Sequence, residues 1–306
     1  MPTYPPAPDT AASYSILRLG TSEPETATDL IAIEEPLEIQ LGYERHDLRV
    51  NKTVAITMRT PGHDRELAAG FLFTEGILHH ASDIENISAD HTRPHTITVN
   101  LRSGVTVDLR SLERNNYTTS SCGVCGKTSL DAVRAASHFP LPGPVALFDV
   151  SRIHRLPDAL RKTQHGFDQT GALHAAALFS ADGRLLEIHE DVGRHNAVDK
   201  VIGAQFLAGK IPLADRLLFV SSRASFELVQ KTLMAGCPAL AAVGAPTSLA
   251  IELARETGAT LLGFVRDRRF NVYAGAPRLR LTGDLAPASA ELHSAAPAVH
   301  AANFTQ

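Results

Sequence analysis

The sequence has no tryptophan, only three cysteines and no apolar run long enough to cross a bilayer. Three cysteines in 306 residues are too few for a disulfide framework, and the odd count leaves at least one thiol unpaired, which suits a reducing, cytoplasmic setting. The longest apolar stretches, Ala239 to Ala245 and Leu261 to Val265, fall far short of the roughly 20 residues of a membrane helix, so a soluble protein without a membrane partner is expected. The opening MPTYPPAPDTAAS lacks the basic and apolar segments of a signal peptide, and export is not expected. Aromatic residues make up 6% of the chain, which predicts cores filled by small aliphatic side chains. A net charge of -4 supplies no overall basic field; nucleic acid is not an expected partner, and any anion site must be local.

What is present is a chain that is 44% hydrophobic, and its length favours two domains over one. Residues 1–28 and 283–306 are rich in Pro, Ala, Ser and Thr, the composition of disordered tails. A small α+β domain is expected over 29–115. Alternation predicts strands at Leu37 to Leu41, Thr53 to Met58, Thr96 to Leu101 and Val105 to Leu109, the last two joined at Ser103-Gly104. Leu67, Phe71 and Leu72 share a face of a helix over Asp64 to Glu75, with His63 as its cap. The polar stretch Glu113 to Ser121 leads into a linker loop over 116–135 with a Cys-x-x-Cys pair, and Asp131 to His138 spells a short helix.

An α/β domain is expected over 136–282. Strand Ala175 to Phe179, turn Asp182-Gly183, strand Arg184 to His189 and a helix from about Arg194 to Leu207 come first. Strands Leu217 to Val220, Ala239 to Val243 and Leu261 to Val265 then alternate with helices Phe226 to Ala235 and Ser248 to Thr257. That order predicts a partly parallel sheet covered by helices on both faces. Ligands of such sheets gather at the carboxyl ends of strands, here Ser221-Ser222-Arg223, Gly244-Ala245-Pro246 and Arg266 to Arg269.

Four constellations carry chemistry. In SSCGVCGKTSL, Cys122 and Cys125 have Lys127 and a candidate helix start nearby, both of which favour thiolate. As a structural zinc site the pair lacks its second half, and no metal site is expected. It follows an α+β unit, not the first strand expected of a thioredoxin-like motif. Gly126-Lys127-Thr128 ends like a phosphate loop, but Ser121 occupies the place of its first glycine. Two unreactive thiols in a flexible loop, or a redox or persulfide-carrying pair, both remain open. The second constellation is HEDVGRHNAVDK, where Asp191 reads as a helix cap and Arg194 and His195 occupy the first turn, a place that favours anions. Ordinary capping is the competing reading. The third is the loop around Ser222 and Arg223, which suits a phosphate or a plain cap. The fourth is Phe264-Val265-Arg266-Asp267-Arg268-Arg269, whose arginines can grip phosphates and whose aspartate can accept from a guanine edge, or which is a solvated turn. Cys237 and His174 read as a buried structural thiol and a core-edge histidine.

Taken together, RTPGHDRELAAGFLFTEGI, SSCGVCGK, TGALHAAAL, EDVGRHNAVDKVIG, SSRASFELVQKTLMAG and GFVRDRRFNVYAG resemble the formate dehydrogenase accessory sulfurtransferase family, FdhD, over roughly residues 30 to 280. The resemblance implies a cytoplasmic homodimer that takes persulfide sulfur from a cysteine desulfurase and delivers it to a molybdenum cofactor carrying two guanine dinucleotides, destined for formate dehydrogenase. That cofactor is cargo, with no permanent cofactor implied. Cys122 would carry the persulfide with Cys125 as its partner, and Phe264 to Arg269 would contact the guanine nucleotide. The larger domain would resemble the three-layer cytidine deaminase fold. This chain has Arg268 where the family commonly has glycine. Deamination itself is excluded, because His195-Asn196-Ala197 has Ala where the proton-moving Glu belongs and only one cysteine follows. The rival is a non-catalytic chaperone that shelters the cofactor.

Overall fold

In a computed structural model the described residues are 10–20, 23–46, 48–90, 92–107, 139–143 and 147–281. Cys122, Cys125, the helix expected at Asp131 to His138 and the tail from 283 lie outside them. Two strands, β1 (Ala11–Arg18) and β2 (Glu25–Ala32), form an antiparallel hairpin. Composition predicts no structure up to residue 28, and this hairpin corrects that reading. Tyr14, Leu17 and Leu30 on it are exposed, so burial left little mark on the sequence.

A four-stranded sheet follows, in the order β4 (Leu48–Arg59), β3 (Glu35–Arg45), β6 (Thr96–Leu101), β5 (Ile84–Ala89). Alternation puts Leu37, Ile39, Leu41, Ile97 and Val99 on its buried face, against helix α1 (Asp64–Thr74). The other face carries polar ladders: the Glu38 carboxylate accepts from Gln40 and Thr53 and stays below the usual carboxylate range, chiefly through Thr53. Residues 105–107 are not in a strand. The rest of the strand expected over Val105 to Leu109 lies outside the described residues; the Arg102 N–H and guanidinium bond the carbonyls of Asp83 and Ser82.

After a two-residue strand β7 (Phe148–Asp149) come short helices α2 (Val150–Ile153), α3 (Leu156–Arg161) and α4 (His165–Thr170), none of which the sequence periodicity announces. The main sheet has the order β13 (Arg269–Ala274), β12 (Thr260–Arg266), β11 (Ala239–Ala242), β10 (Arg216–Val220), β8 (His174–Ser180), β9 (Leu185–Asp191). Ala176, Leu178, Leu218, Val220, Leu240 and Ala242 face helices α5 (Arg194–Leu207), α6 (Phe226–Met234) and α7 (Ser248–Thr257). Ala175, Ala177, Phe179, Leu217 and Phe219 face Phe148, Ile153, Leu156 and Leu160 on the other side. This is the three-layer α/β/α arrangement expected of the larger unit. A last short strand, β14 (Leu279–Arg280), pairs in parallel with β7.

One buried cluster runs without a break from the four-stranded sheet through α1 and α5 into the main sheet. The two helices cross backbone to backbone: a Cβ on Gly203 would sit 1.9 Å from the Glu66 carbonyl oxygen, and one on Gly70 1.9 Å from that of Asp199. Only glycine fits either position.

Candidate functional site

Strands β9, β10, β11 and β12 run in one direction, because β8 is antiparallel to both β9 and β10 while β10 to β12 pair in parallel. Their carboxyl ends therefore share one edge, joined there by the first residue of the reversed strand β8, His174. Helices α5, α6 and α7 all begin at that edge. Their N-cap residues, Gly193, Ser225 and Thr247, make no side-chain capping bond, and the Ser225 hydroxyl oxygen is buried without a hydrogen-bond partner. Three helix N-termini thus direct positive dipole ends towards one place, a ready setting for anions.

The loops at this edge are laced together. The Gly244 N–H donates to Ser222 O, Phe264 N–H to Gly244 O, Ala224 N–H to Ala245 O and Thr247 N–H to Ala224 O, each near 3 Å. The Ser221 hydroxyl accepts from Ala175 N–H at 2.9 Å, tying β10 to the start of β8. A Cβ on Gly244 would stand 3.1 Å from the Arg223 backbone, a tight approach that glycine relieves. Ser222 is buried and its hydroxyl turns back to the Arg223 carbonyl, whereas the Arg223 side chain is exposed.

The sequence-derived site residues divide into groups. Ser222, Arg223, Arg194 and His195 come together at this edge with the β12–β13 hairpin. Within that hairpin Phe264 bonds Gly244, and Arg266 lies 5.8 Å from its ring centre. Val265 does not join them; its side chain is fully buried in the core on the opposite face of the sheet. Asp267 is 73% exposed at the hairpin tip, 4.0 Å from Arg266, so a guanine edge there would meet an open, solvated carboxylate. Arg266 pairs with Arg269, making Asp267-Arg268 a two-residue turn with φ of 52° and 56°. Both central residues are left-handed, a turn geometry that favours glycine, and this chain places Asp267 and Arg268 there.

Asp191 is not the cap of α5. It is completely buried, and its carboxylate accepts from Gly193 N–H and Asn196 Nδ2 and pairs with Lys200 at 2.7 Å. His63 occupies the N-cap position of α1 without a capping bond; its ring instead meets that of His189 at 4.3 Å. Burial, then the neighbouring His189, holds His63 below the usual histidine range. Cys237 is a buried structural thiol as expected, bonded to the carbonyl of Arg216 and pushed up to about 12 by burial.

His174, read from the sequence as a core-edge histidine, stands half-buried at this edge, where burial, followed by Arg194, depresses its pKa and favours neutral imidazole, with Asp191 opposing. Glu227 escapes the sequence reading: in the first turn of α6 it brings Oε2 to 4.0 Å from Nε2 of buried His195. No composition signal marks it; only the convergence of α5 and α6 does. Among the described residues no group of three or more His, Cys, Asp or Glu side chains is placed to hold a metal ion.

A mixed sheet flanked by helices, with arginines and uncapped helix starts along one strand edge, defines an α/β protein whose carboxyl edge is a candidate anion site. The chain belongs to the FdhD/NarQ family, which it matches over residues 32–280. It is 49% identical over 274 residues to the sulfur carrier protein FdhD of Streptomyces coelicolor, covering 87% of this chain and 94% of that one. The protein of the same name from Saccharolobus solfataricus is 40% identical over 267 residues, 87% and 97% of the two chains. In fold, the chain resembles a crystal structure from Desulfotalea psychrophila assigned as a formate dehydrogenase accessory protein, with TM-score 0.69, 24% identity and coverage of 89% and 100%. No helix among the described residues is long and apolar enough to cross a membrane.

Proposed function

We propose that this protein is a cytoplasmic, homodimeric sulfur carrier that moves persulfide sulfur from a cysteine desulfurase to the bis-guanine-dinucleotide molybdenum cofactor of formate dehydrogenase. The observation that carries the reading is one sheet edge along which three uncapped helix starts and Arg194, Arg223, Arg266 and Arg269 are arrayed, a suitable cradle for the several phosphates of such an extended cargo. Family membership supports the sulfur chemistry, since relatives bear the name sulfur carrier protein.

The chemistry is thiol exchange. The Cys122 thiolate attacks the outer sulfur of the donor persulfide, a new S–S bond forms, and the donor cysteine leaves as thiolate. Attack by Cys125 on the Cys122 sulfur then releases hydrosulfide at the cofactor, the proton of the Cys125 thiol going to the departing sulfur. The resulting disulfide is reset by a cellular dithiol. The loops at the carboxyl edge supply position and charge, where most of the rate advantage of a bound transfer lies.

The test is mass spectrometry of the protein after incubation with a cysteine desulfurase and cysteine, in wild type, Cys122→Ala and Cys125→Ala. A gain of one sulfur atom, lost in Cys122→Ala together with activation of formate dehydrogenase, is expected. Absence of that gain, or activation undiminished in Cys122→Ala, leaves the cofactor-sheltering chaperone as the better account.

A further inference from the structure

The anion edge belongs to the main sheet, yet its first corner is held by the other unit. The end of β4 offers three backbone groups and two hydroxyls to the turn between β9 and α5. Thr60 N–H donates to Asp191 Oδ2 at 3.2 Å, Thr60 O accepts from Lys200 Nζ at 3.0 Å, and the Thr60 hydroxyl accepts from Val192 N–H at 3.1 Å. Asn196 donates to Met58 O at 2.7 Å and to Asp191 at 3.1 Å, while its own oxygen accepts from the Thr57 hydroxyl. Gly193, Arg194 and His195, which open α5 at the anion edge, lie between these anchored positions. Gly193 is further pinned by its N–H to Asp191, and a Cβ there would meet the Asn196 amide at 2.8 Å.

We infer that Thr60, Asp191 and Asn196 are positioning residues for the anion site, so that the four-stranded unit is part of the binding apparatus. The physical case is one of tolerance. A helix N-terminus and a guanidinium grip a phosphate only within a few tenths of an ångström of the correct placement, and a polypeptide corner containing a glycine does not hold that placement alone. Here the Val192 N–H and the Asp191 and Asn196 side chains, on the side of the corner away from the ligand edge, are all tied to β4 and Thr60. A buried, charge-balanced Asp191–Lys200 pair at 2.7 Å, both side chains at most 1% exposed, locks the geometry. Arg194 and His195 therefore open α5 within a corner whose two ends, Val192 and Asn196, are bonded to the four-stranded unit.

This inference rests on the proposed nucleotide cargo and is tested with GDP and guanosine as probes, by calorimetry on the full chain. Thr60→Val removes one hydroxyl acceptor while keeping shape, and Asn196→Ala removes three bonds. Both are expected to weaken GDP binding about tenfold, the size of one lost buried hydrogen bond, while leaving guanosine binding unchanged. Thr60→Ser keeps the hydroxyl and should bind GDP like wild type. General loosening of the fold would weaken both probes alike and would overturn the inference, as would wild-type GDP affinity in folded Thr60→Val. Failure of the unaltered chain to bind GDP would instead remove the nucleotide reading itself, and this inference with it. If Asn196→Ala does not fold, the Thr60 pair of variants decides.

Discussion

Two buried lysines brace helix α5, and their surroundings differ by one carboxylate. Lys200 meets a single acid, Asp191, and gives a further hydrogen bond to the Thr60 carbonyl. Lys231 on α6 lies between two acids, Asp199 at 2.9 Å and Glu75 at 3.2 Å, with the Thr74 hydroxyl bonded to both Asp199 and the ammonium. The first cluster sets one cation against one acid, whereas the second sets one cation between two acids. Burial pushes Asp199 up to about 6 against the pull of Lys231 and Thr74. For Lys231 burial disfavours the ammonium, but the two flanking carboxylates outweigh it and hold the group above the usual lysine range. The second cluster therefore responds to protons as pH passes about 6.

The largest effects should come from removing the cations. Lys231→Met takes the cation away from two buried carboxylates and should cost about 5 kcal/mol of folding stability, against about 3 kcal/mol for Lys200→Met, which takes it away from one. Urea unfolding measures both, and equal losses would break the comparison. The next effect is one of pH. Because the folded-state pKa of Asp199 lies above the ordinary carboxylate value, its bound proton stabilises the fold at low pH, and that contribution is lost as pH rises through about 6. Wild type should therefore gain stability relative to Asp199→Asn on going from about pH 7.5 to about pH 5, in paired denaturation curves. A difference that does not change with pH would overturn the reading of the second cluster as proton-sensitive. The smallest effect is expected for Thr74→Val, about 1 kcal/mol, since it deletes a hydroxyl but no charge; a larger loss would mean that the hydroxyl, more than Lys231, holds Asp199 in place.

Much of the main sheet is legible in the sequence because its strands are short apolar runs punctuated by Gly, Pro and Asp. Helices α5 and α7 begin and end where their spacing predicts, and Ser222, Arg223, Arg194 and His195 reach one edge because strand ends converge in such sheets. Val265 misleads, since a residue flanked by site residues in a strand points to the opposite face. Helices of four to six residues, α2 to α4, are too short for a 3.6-residue period to register. The brace between Thr60 and Asp191 joins positions 131 residues apart, and no local pattern encodes it. The Cys122 and Cys125 pair is legible only as chemistry, and its place lies outside the described residues.

Arg268 sits at the tip of the β12–β13 hairpin with φ 56°, a backbone conformation that glycine would adopt freely, and such strain endures only where the side chain offers something in return. Beside Arg266 and Arg269, a third guanidinium at the rim of the proposed anion edge lengthens the reach of the positive field into solvent. Capture of a polyanionic cargo should consequently be faster here, and more sensitive to ionic strength, than in a relative whose turn ends in glycine.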